Sequence, residues 1–199
     1  WAPFYDALAG RLYQSGRRQA LAQLDLQSGQ TVLLVGVGTG ADLPDMPAGV
    51  QVTGVDLSPE MLHKAEAKRP FSPATITLIQ ADATAMPLED DSFETAVLNL
   101  ILAVVPDPVA CWQETLRVVK PGGRIVIFDK FVPEAGKVNG FRRMLNQVAM
   151  LMGTDITRKF SDIVGETAVS AREIVDVDMR FPLTSIMSVI PQVGESGKK

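Results

Sequence analysis

The stretch Thr31-Val32-Leu33-Leu34-Val35-Gly36-Val37-Gly38-Thr39-Gly40-Ala41 is where the chain first becomes readable. Its first five residues are β-prone and, apart from Thr31, apolar without alternation, as expected of a parallel strand covered on both faces. Glycine then ends the run. Gly36, Gly38 and Gly40 permit positive φ and let the backbone come close to a ligand. The same letters satisfy the pattern G-x-G-x-x-G/A, so the loop alone does not separate one nucleotide ligand from another, or from a plain tight turn.

Outward from this loop, short β-rich runs alternate with helical patterns, which implies βαβ units around a mostly parallel sheet. Val50–Val55 is the second strand. Ser58 is placed to cap a helix with Pro59 at its first position and Met61, Leu62 and Ala65 inside it. Thr75–Gln80 and Phe93–Leu98 read as the third and fourth strands. Pro108–Val119 reads as a helix stopped by Pro121-Gly122-Gly123, with Arg124–Asp129 as the fifth strand. Further on, Phe141, Met144, Leu145, Val148 and Met152 recur at helical spacing. Ile174–Phe181 and Ser185–Ile190 are expected to be closing strands joined through Pro182-Leu183-Thr184, and so short a join makes one of them antiparallel. Before the first strand, Pro3–Tyr13 and Arg17–Leu26 read as two helices separated near Ser15-Gly16.

Asp56 closes the second strand, twenty residues after Gly36, where a carboxylate can accept hydrogen bonds from both hydroxyls of a ribose. Simple capping of the helix that follows is its competing role. Asp82 closes the third strand. Its carboxylate can accept from an adenine amino group while the N–H of Ala83 reaches a ring nitrogen. A dehydrogenase would need a substrate domain and a proton donor, and neither is visible. The single histidine, His63, falls within the helix after Asp56, on its expected outer face.

In order, VLLVGVGTG, VTGVDLSPEML, IQADATAMPLEDDSFETAVLNL and VVKPGGRIVIFDKF resemble the class I S-adenosylmethionine methyltransferases over about residues 30–131. That resemblance implies a Rossmann-like three-layer α/β sandwich, with a seven-stranded, mostly parallel sheet and an antiparallel C-terminal hairpin strand. It implies S-adenosylmethionine as cofactor and S-adenosylhomocysteine as product. By the same resemblance Gly36, Val37, Gly38 and Gly40 approach the methionine part, Asp56 holds ribose, and Leu57 packs on adenine. Asp82 and Ala83 read the adenine edge, and Asn99 lies near the reacting sulfonium. One departure stands out. Members of the class usually carry Asp or Glu two residues before the first glycine, where it helps to hold the cofactor's ammonium group, and this chain has Leu34.

The flanks bear on the methyl acceptor. Trp1-Ala2-Pro3-Phe4-Tyr5-Asp6, Gly10, Tyr13, Gly16-Arg17, the run Asn99–Pro108 and Pro133-Glu134-Ala135-Gly136 are similar to bacterial phosphatidylethanolamine N-methyltransferases. The related quinone methyltransferases are the nearest alternative. Tyr5 and Tyr13, with Arg17, are the candidate acceptor-site residues, and aromatic packing of an N-terminal helix is the competing role for the tyrosines. An amine acceptor needs alignment and desolvation more than a strong base. A quinol carbon needs its ring oxygen deprotonated by a placed base, and no such base is recognisable. A catalytically weak cofactor-binding protein is the non-enzyme alternative, favoured only by Leu34.

The bulk properties fit. The 199 residues suit one α/β domain over 1–193: a helical lid at 1–28, a cofactor core at 30–131, and substrate-side helices and strands at 132–193, with a polar tail at 194–199. A net charge of −4 disfavours nucleic acid as a partner. The charge is uneven: residues 42–94 carry ten acids against three Lys/Arg, whereas 130–160 carry six Lys/Arg against two acids. Phe4, Leu8 and Leu12 near Arg11, Arg17 and Arg18, and Arg142 and Arg143 beside Phe141, Met144 and Leu145, form two amphipathic segments. Peripheral membrane contact through the N-terminal helix and residues 137–159 is therefore an expectation, against the simpler reading of a lid and a core helix. No apolar run reaches the ~20 residues of a bilayer span, and no signal peptide is recognisable. The single cysteine, Cys111, fits a reducing cytoplasm and a packing role. No metal site is expected.

Overall fold

The computed structural model describes residues 13–132, 146–147, 154–165, 169–175 and 185–191, with side chains in the last two segments described only at Val189 and Ile190. A helix, α1, spans residues 13–22. It is followed by β1 (Thr31–Val35), a 3-10 turn at Leu43–Asp45, β2 (Gln51–Asp56), α2 (Pro59–Glu66) and β3 (Thr75–Gln80). Then come β4 (Phe93–Asn99), α3 (Pro108–Val118), β5 (Val119–Asp129), the short α4 (Phe160–Val164), β6 (Val169–Val175) and β7 (Ser185–Pro191).

The strands form one seven-stranded sheet in the order β3-β2-β1-β4-β5-β7-β6. β3, β2, β1, β4 and β5 pair in parallel, whereas β7 is antiparallel to both β5 and β6. This is the Rossmann-like, mostly parallel architecture that the sequence implied. The order reverses between β1 and β4, and in such sheets the crevice outside the carboxyl ends at that switch point is where ligands bind.

Alternation along the strands divides the core. Leu33, Val35, Ala96, Leu98, Ile125 and Ile127 face α3 and α4, with Trp112 and Phe160 among their neighbours. Val32, Leu34, Val97, Val126 and Phe128 face the opposite layer, where Ala20, Leu21 and Leu24 of α1 and Ala65 of α2 lie. The helix starts follow from capping. Ser58 accepts from the Met61 N–H with Pro59 at the first helical position, and Asp107 does the same for the Ala110 N–H ahead of Pro108.

Three boundaries correct the sequence reading. No break occurs near Ser15-Gly16, because α1 runs through both residues; Pro3 to Leu12 lie outside the described residues. Gly16 serves close approach instead: a Cβ there would sit 2.4 Å from Cζ of Phe128, so the helix backbone rests on that ring. Pro121-Gly122-Gly123 lies within β5 rather than before it. Phe93 pairs with Val119, yet Thr95 pairs with Arg124, so the turn residues are looped out between two paired positions. The sixth strand begins at Val169, not Ile174, and residues 176–184, including the expected join, are outside the described set. It is the edge strand of the sheet, and Ser170, Arg172 and Glu173 interrupt the apolar pattern by which the buried strands were recognised.

At the amino-terminal ends of β1, β4 and β5, Glu94 draws the strands together. Its carboxylate accepts from the Thr31 N–H at 2.6 Å, from the Thr31 hydroxyl and from Lys120. The Lys120 ammonium and these hydrogen bonds hold the Glu94 carboxyl down at about 2. A depressed carboxyl contributes stability above its unfolded value and loses it as pH falls towards the folded value. Glu94→Gln is therefore expected to flatten the fall of melting temperature between about pH 4.5 and 2. An unchanged acid limb in a pH series of thermal melts would remove Glu94 from this role.

Candidate functional site

The glycine loop leaves β1 at the switch point. Gly36, Gly38 and Gly40 have φ of 69°, 54° and 69°, all in the left-handed region. The loop is pinned by the Val37 N–H on the Val55 carbonyl at 2.9 Å and by the Gly40 N–H on the Val37 carbonyl at 3.0 Å. Val37 itself turns inward: it is buried, and its side chain covers Gly54 of β2, where a Cβ would come within 3.0 Å of it. What Val37 offers a ligand is backbone only.

Asp56 ends β2 and accepts from the Gly38 N–H at 2.8 Å and from the Ser58 N–H at 2.9 Å. One carboxylate thus fixes the glycine loop and the entry to α2, and each oxygen keeps a lone pair for a further donor. Leu57, next in the chain, is 64% exposed, an apolar side chain left uncovered beside the loop. Asp82 lies two residues beyond the end of β3. It is exposed and accepts from both the N–H and the hydroxyl of Thr84, each at 2.8 Å, and these bonds lower its carboxyl below the usual value. Ala83 is buried behind it.

The loop after Ala83 is held by α3. Arg117 donates to the Met86 and Leu88 carbonyls at 3.1 and 2.9 Å and pairs with Glu114 and Asp90, while Glu114 accepts from the Met86 N–H at 2.7 Å. Neither residue stood out in the sequence. An Arg three residues after a Glu on a helix is too common a pattern to signal such a latch.

Asn99 closes β4 on the α1 face, register-paired with Phe128. It is buried, and neither of its side-chain polar atoms has a hydrogen-bond partner. Leu100 follows with φ of 62°, a left-handed conformation that a leucine rarely holds without a compensating contact. Its N–H donates to the Phe128 carbonyl at 2.8 Å. A buried amide with nothing to bond is costly, and a ligand at the switch point would satisfy it.

Of the acceptor-site candidates, Tyr5 lies outside the described residues. Tyr13 stands at the first described turn of α1, its ring edge-on to Phe128 with centroids 6.1 Å apart and the Lys130 ammonium 5.5 Å from its centre. Arg17 forms an ion pair with Asp42 at 2.8 Å. Asp42, Lys130 and Asp129 went unremarked in the sequence. Asp129 is fully buried and accepts from the Ala103 and Lys130 N–H groups at 3.0 and 2.8 Å, and burial pushes its carboxyl up to about 6. His63 is exposed on α2, and Cys111 is buried, its thiol pushed up to about 12 by desolvation. Among the described residues no cluster of His, Cys, Asp and Glu could hold a metal ion.

Comparison with known proteins agrees with this arrangement. The methyltransferase domain family matches residues 33–127. The chain is 35% identical to a phosphatidylethanolamine N-methyltransferase of Cereibacter sphaeroides over 77% of its own length and 75% of the relative's. It is 37% identical to a demethylmenaquinone methyltransferase of Paenarthrobacter aurescens over 64% of its length, but spans only 51% of that protein. A solved S-adenosylmethionine-dependent methyltransferase from Aquifex aeolicus shares the fold, with a TM-score of 0.63 at 20% identity and 87% of each chain covered. The chain belongs to the S-adenosylmethionine-dependent methyltransferases. The residues present fit that cofactor: a glycine loop at the switch point, the Asp56 carboxylate beside it, and the buried, unsatisfied amide of Asn99 at the end of β4.

Asp56→Ala is expected to weaken S-adenosylhomocysteine binding by about 1–3 kcal/mol, because a charged acceptor is lost. Calorimetric titration checks this, and unchanged affinity would remove Asp56 from the site.

Proposed function

We propose that the protein transfers the methyl group of S-adenosylmethionine to the amine of a phospholipid head group, as in phosphatidylethanolamine N-methylation. The observation that carries this reading is the chemistry around Asn99. Its amide oxygen is buried without a partner at the end of β4 and can accept an amine N–H, while the one imidazole of the chain is exposed on α2. Asp129 is fully buried on the α3 face, the side of the sheet opposite Asn99, and accepts there from the Ala103 and Lys130 N–H groups. The cofactor supplies a methyl group already bonded to a positive sulfur. The chain's part is to align an unprotonated amine with it and exclude water. Tyr13, and Tyr5 with it, are proposed to shape the acceptor pocket.

A lipid acceptor places the enzyme on a membrane surface, on the cytoplasmic face in this reading. Among the described residues no helix is long and apolar enough to cross a membrane, and peripheral attachment through the N-terminal helix and residues 137–159 is proposed. Neutralising both Arg142 and Arg143 is expected to weaken binding to anionic vesicles at low salt by about 1 kcal/mol per charge. Vesicle binding that ignores the substitutions would take these two residues out of the contact. The likeness to a demethylmenaquinone methyltransferase supports quinone methylation as the second reading. Radiolabelled methyl incorporation, compared across phosphatidylethanolamine vesicles, quinols and small amines, separates the two. Label in the quinol pool alone would overturn the lipid reading.

A further inference from the structure

The acid usual in this family two residues before the first glycine is absent, and Leu34 in its place is 2% exposed and packed in the layer beneath α1. β1 therefore brings no carboxylate to the ammonium group of the cofactor. Asp42 follows two residues after Gly40 and is 4% exposed. Its Oδ2 accepts from Arg17, whereas its Oδ1 is buried with no partner. It starts the 3-10 turn at Leu43 without capping it. A carboxylate so enclosed normally fills its acceptor sites, and a single bond from one guanidinium does not.

Its location follows from the packing of α1. Leu24, just after α1, accepts from Arg124 near the middle of β5, whereas Gly16 rests on Phe128 at the end of the same strand. The helix thus runs antiparallel to β5, and Arg17, next to Gly16, sits at the carboxyl edge of the sheet. Phe128 is the register partner of Asn99, so the Arg17–Asp42 pair stands on the same face and at the same edge as Asn99 and Leu34. That edge is the rim of the switch-point crevice.

We propose that Asp42 replaces the missing β1 acid as the anchor of the cofactor's ammonium group: Oδ1 accepts from the ammonium while Arg17 holds Oδ2 and fixes the carboxylate's orientation. Arg17 is then a positioning residue rather than a contact to the methyl acceptor. The inference rests on the cofactor alone and stands whichever acceptor is used.

The test compares S-adenosylhomocysteine with 5′-methylthioadenosine, which lacks the amino-acid end. In calorimetric titrations Asp42→Asn is expected to weaken the first at least tenfold and to leave the second within twofold. Equal weakening of both would make the pair merely structural, and no weakening of either would remove Asp42 from the site; both overturn the proposal. The parent protein provides a measurement independent of the variant's folding. The carboxyl carbon resonance of Asp42 is expected to shift on adding S-adenosylhomocysteine and not on adding 5′-methylthioadenosine. A resonance unmoved by the first ligand, or moved alike by both, also overturns it.

Discussion

Gly36→Ala is expected to lower cofactor affinity about 100-fold, roughly 3 kcal/mol. Two effects combine. The backbone at Gly36 has φ of 69°, which costs a residue with a Cβ about 1–2 kcal/mol. The new methyl would also lie 2.7 Å from Cδ1 of Ile101, and crowding of that kind adds about 1–3 kcal/mol. Strain that a shift of the Ile101 side chain does not absorb moves the loop, which carries its amides away from the crevice. Gly38→Ala provides the control: its φ is 54°, but the nearest atom to an added Cβ is 4.0 Å away. It should suffer the backbone cost without the collision. Equal losses of affinity in the two variants, measured by titration with S-adenosylhomocysteine, would sink the steric account.

Trp112→Ala is expected to destabilise the fold by about 3–5 kcal/mol, the range for removing a fully buried aromatic. Trp112 is completely buried and stands edge-on to Phe160, with centroids 6.0 Å apart, so it joins α3 to α4 and both to the sheet. For a chain of this size the loss corresponds to about 6–20 °C in melting temperature. Its indole N–H is buried without a hydrogen bond, so Trp112→Phe forfeits area but no polar contact and should cost much less. If the two variants melted together, packing by the large ring would not be the source of the stability.

The sequence made the parallel core readable because its signals are local. β1 is an unbroken apolar run closed by glycine, and Ser58-Pro59 and Asp107-Pro108 announce helices by capping chemistry that acts within four residues. What it did not show depends on partners far along the chain. Gly16 reads as a helix breaker until Phe128 is brought against it. The Pro121-Gly122-Gly123 turn reads as an interruption, although the register on β4 carries β5 past it. β6 lies at the sheet edge, where no second neighbouring strand imposes a pattern.

The site divides in the same way. The positions of Asp56 and the glycines were legible because strand ends and spacing locate them. The role proposed for Asp42 was not, since its unpaired oxygen and its ion pair with a residue twenty-five positions earlier exist only after folding. Arg17, singled out as an acceptor-site candidate, also has a partner the sequence did not show, the carboxylate of Asp42.

The Glu94 cluster has a mechanical consequence. Thr31, Glu94 and Lys120 tie β1, β4 and β5 at the end opposite the glycine loop. The sheet is thereby fastened at its foot by side chains from three strands, whereas its rim is tied by backbone N–H groups, those of Val37, Gly38 and Leu100. Losing the Glu94 carboxylate is therefore expected to loosen the foot of the sheet and to leave these rim bonds in place.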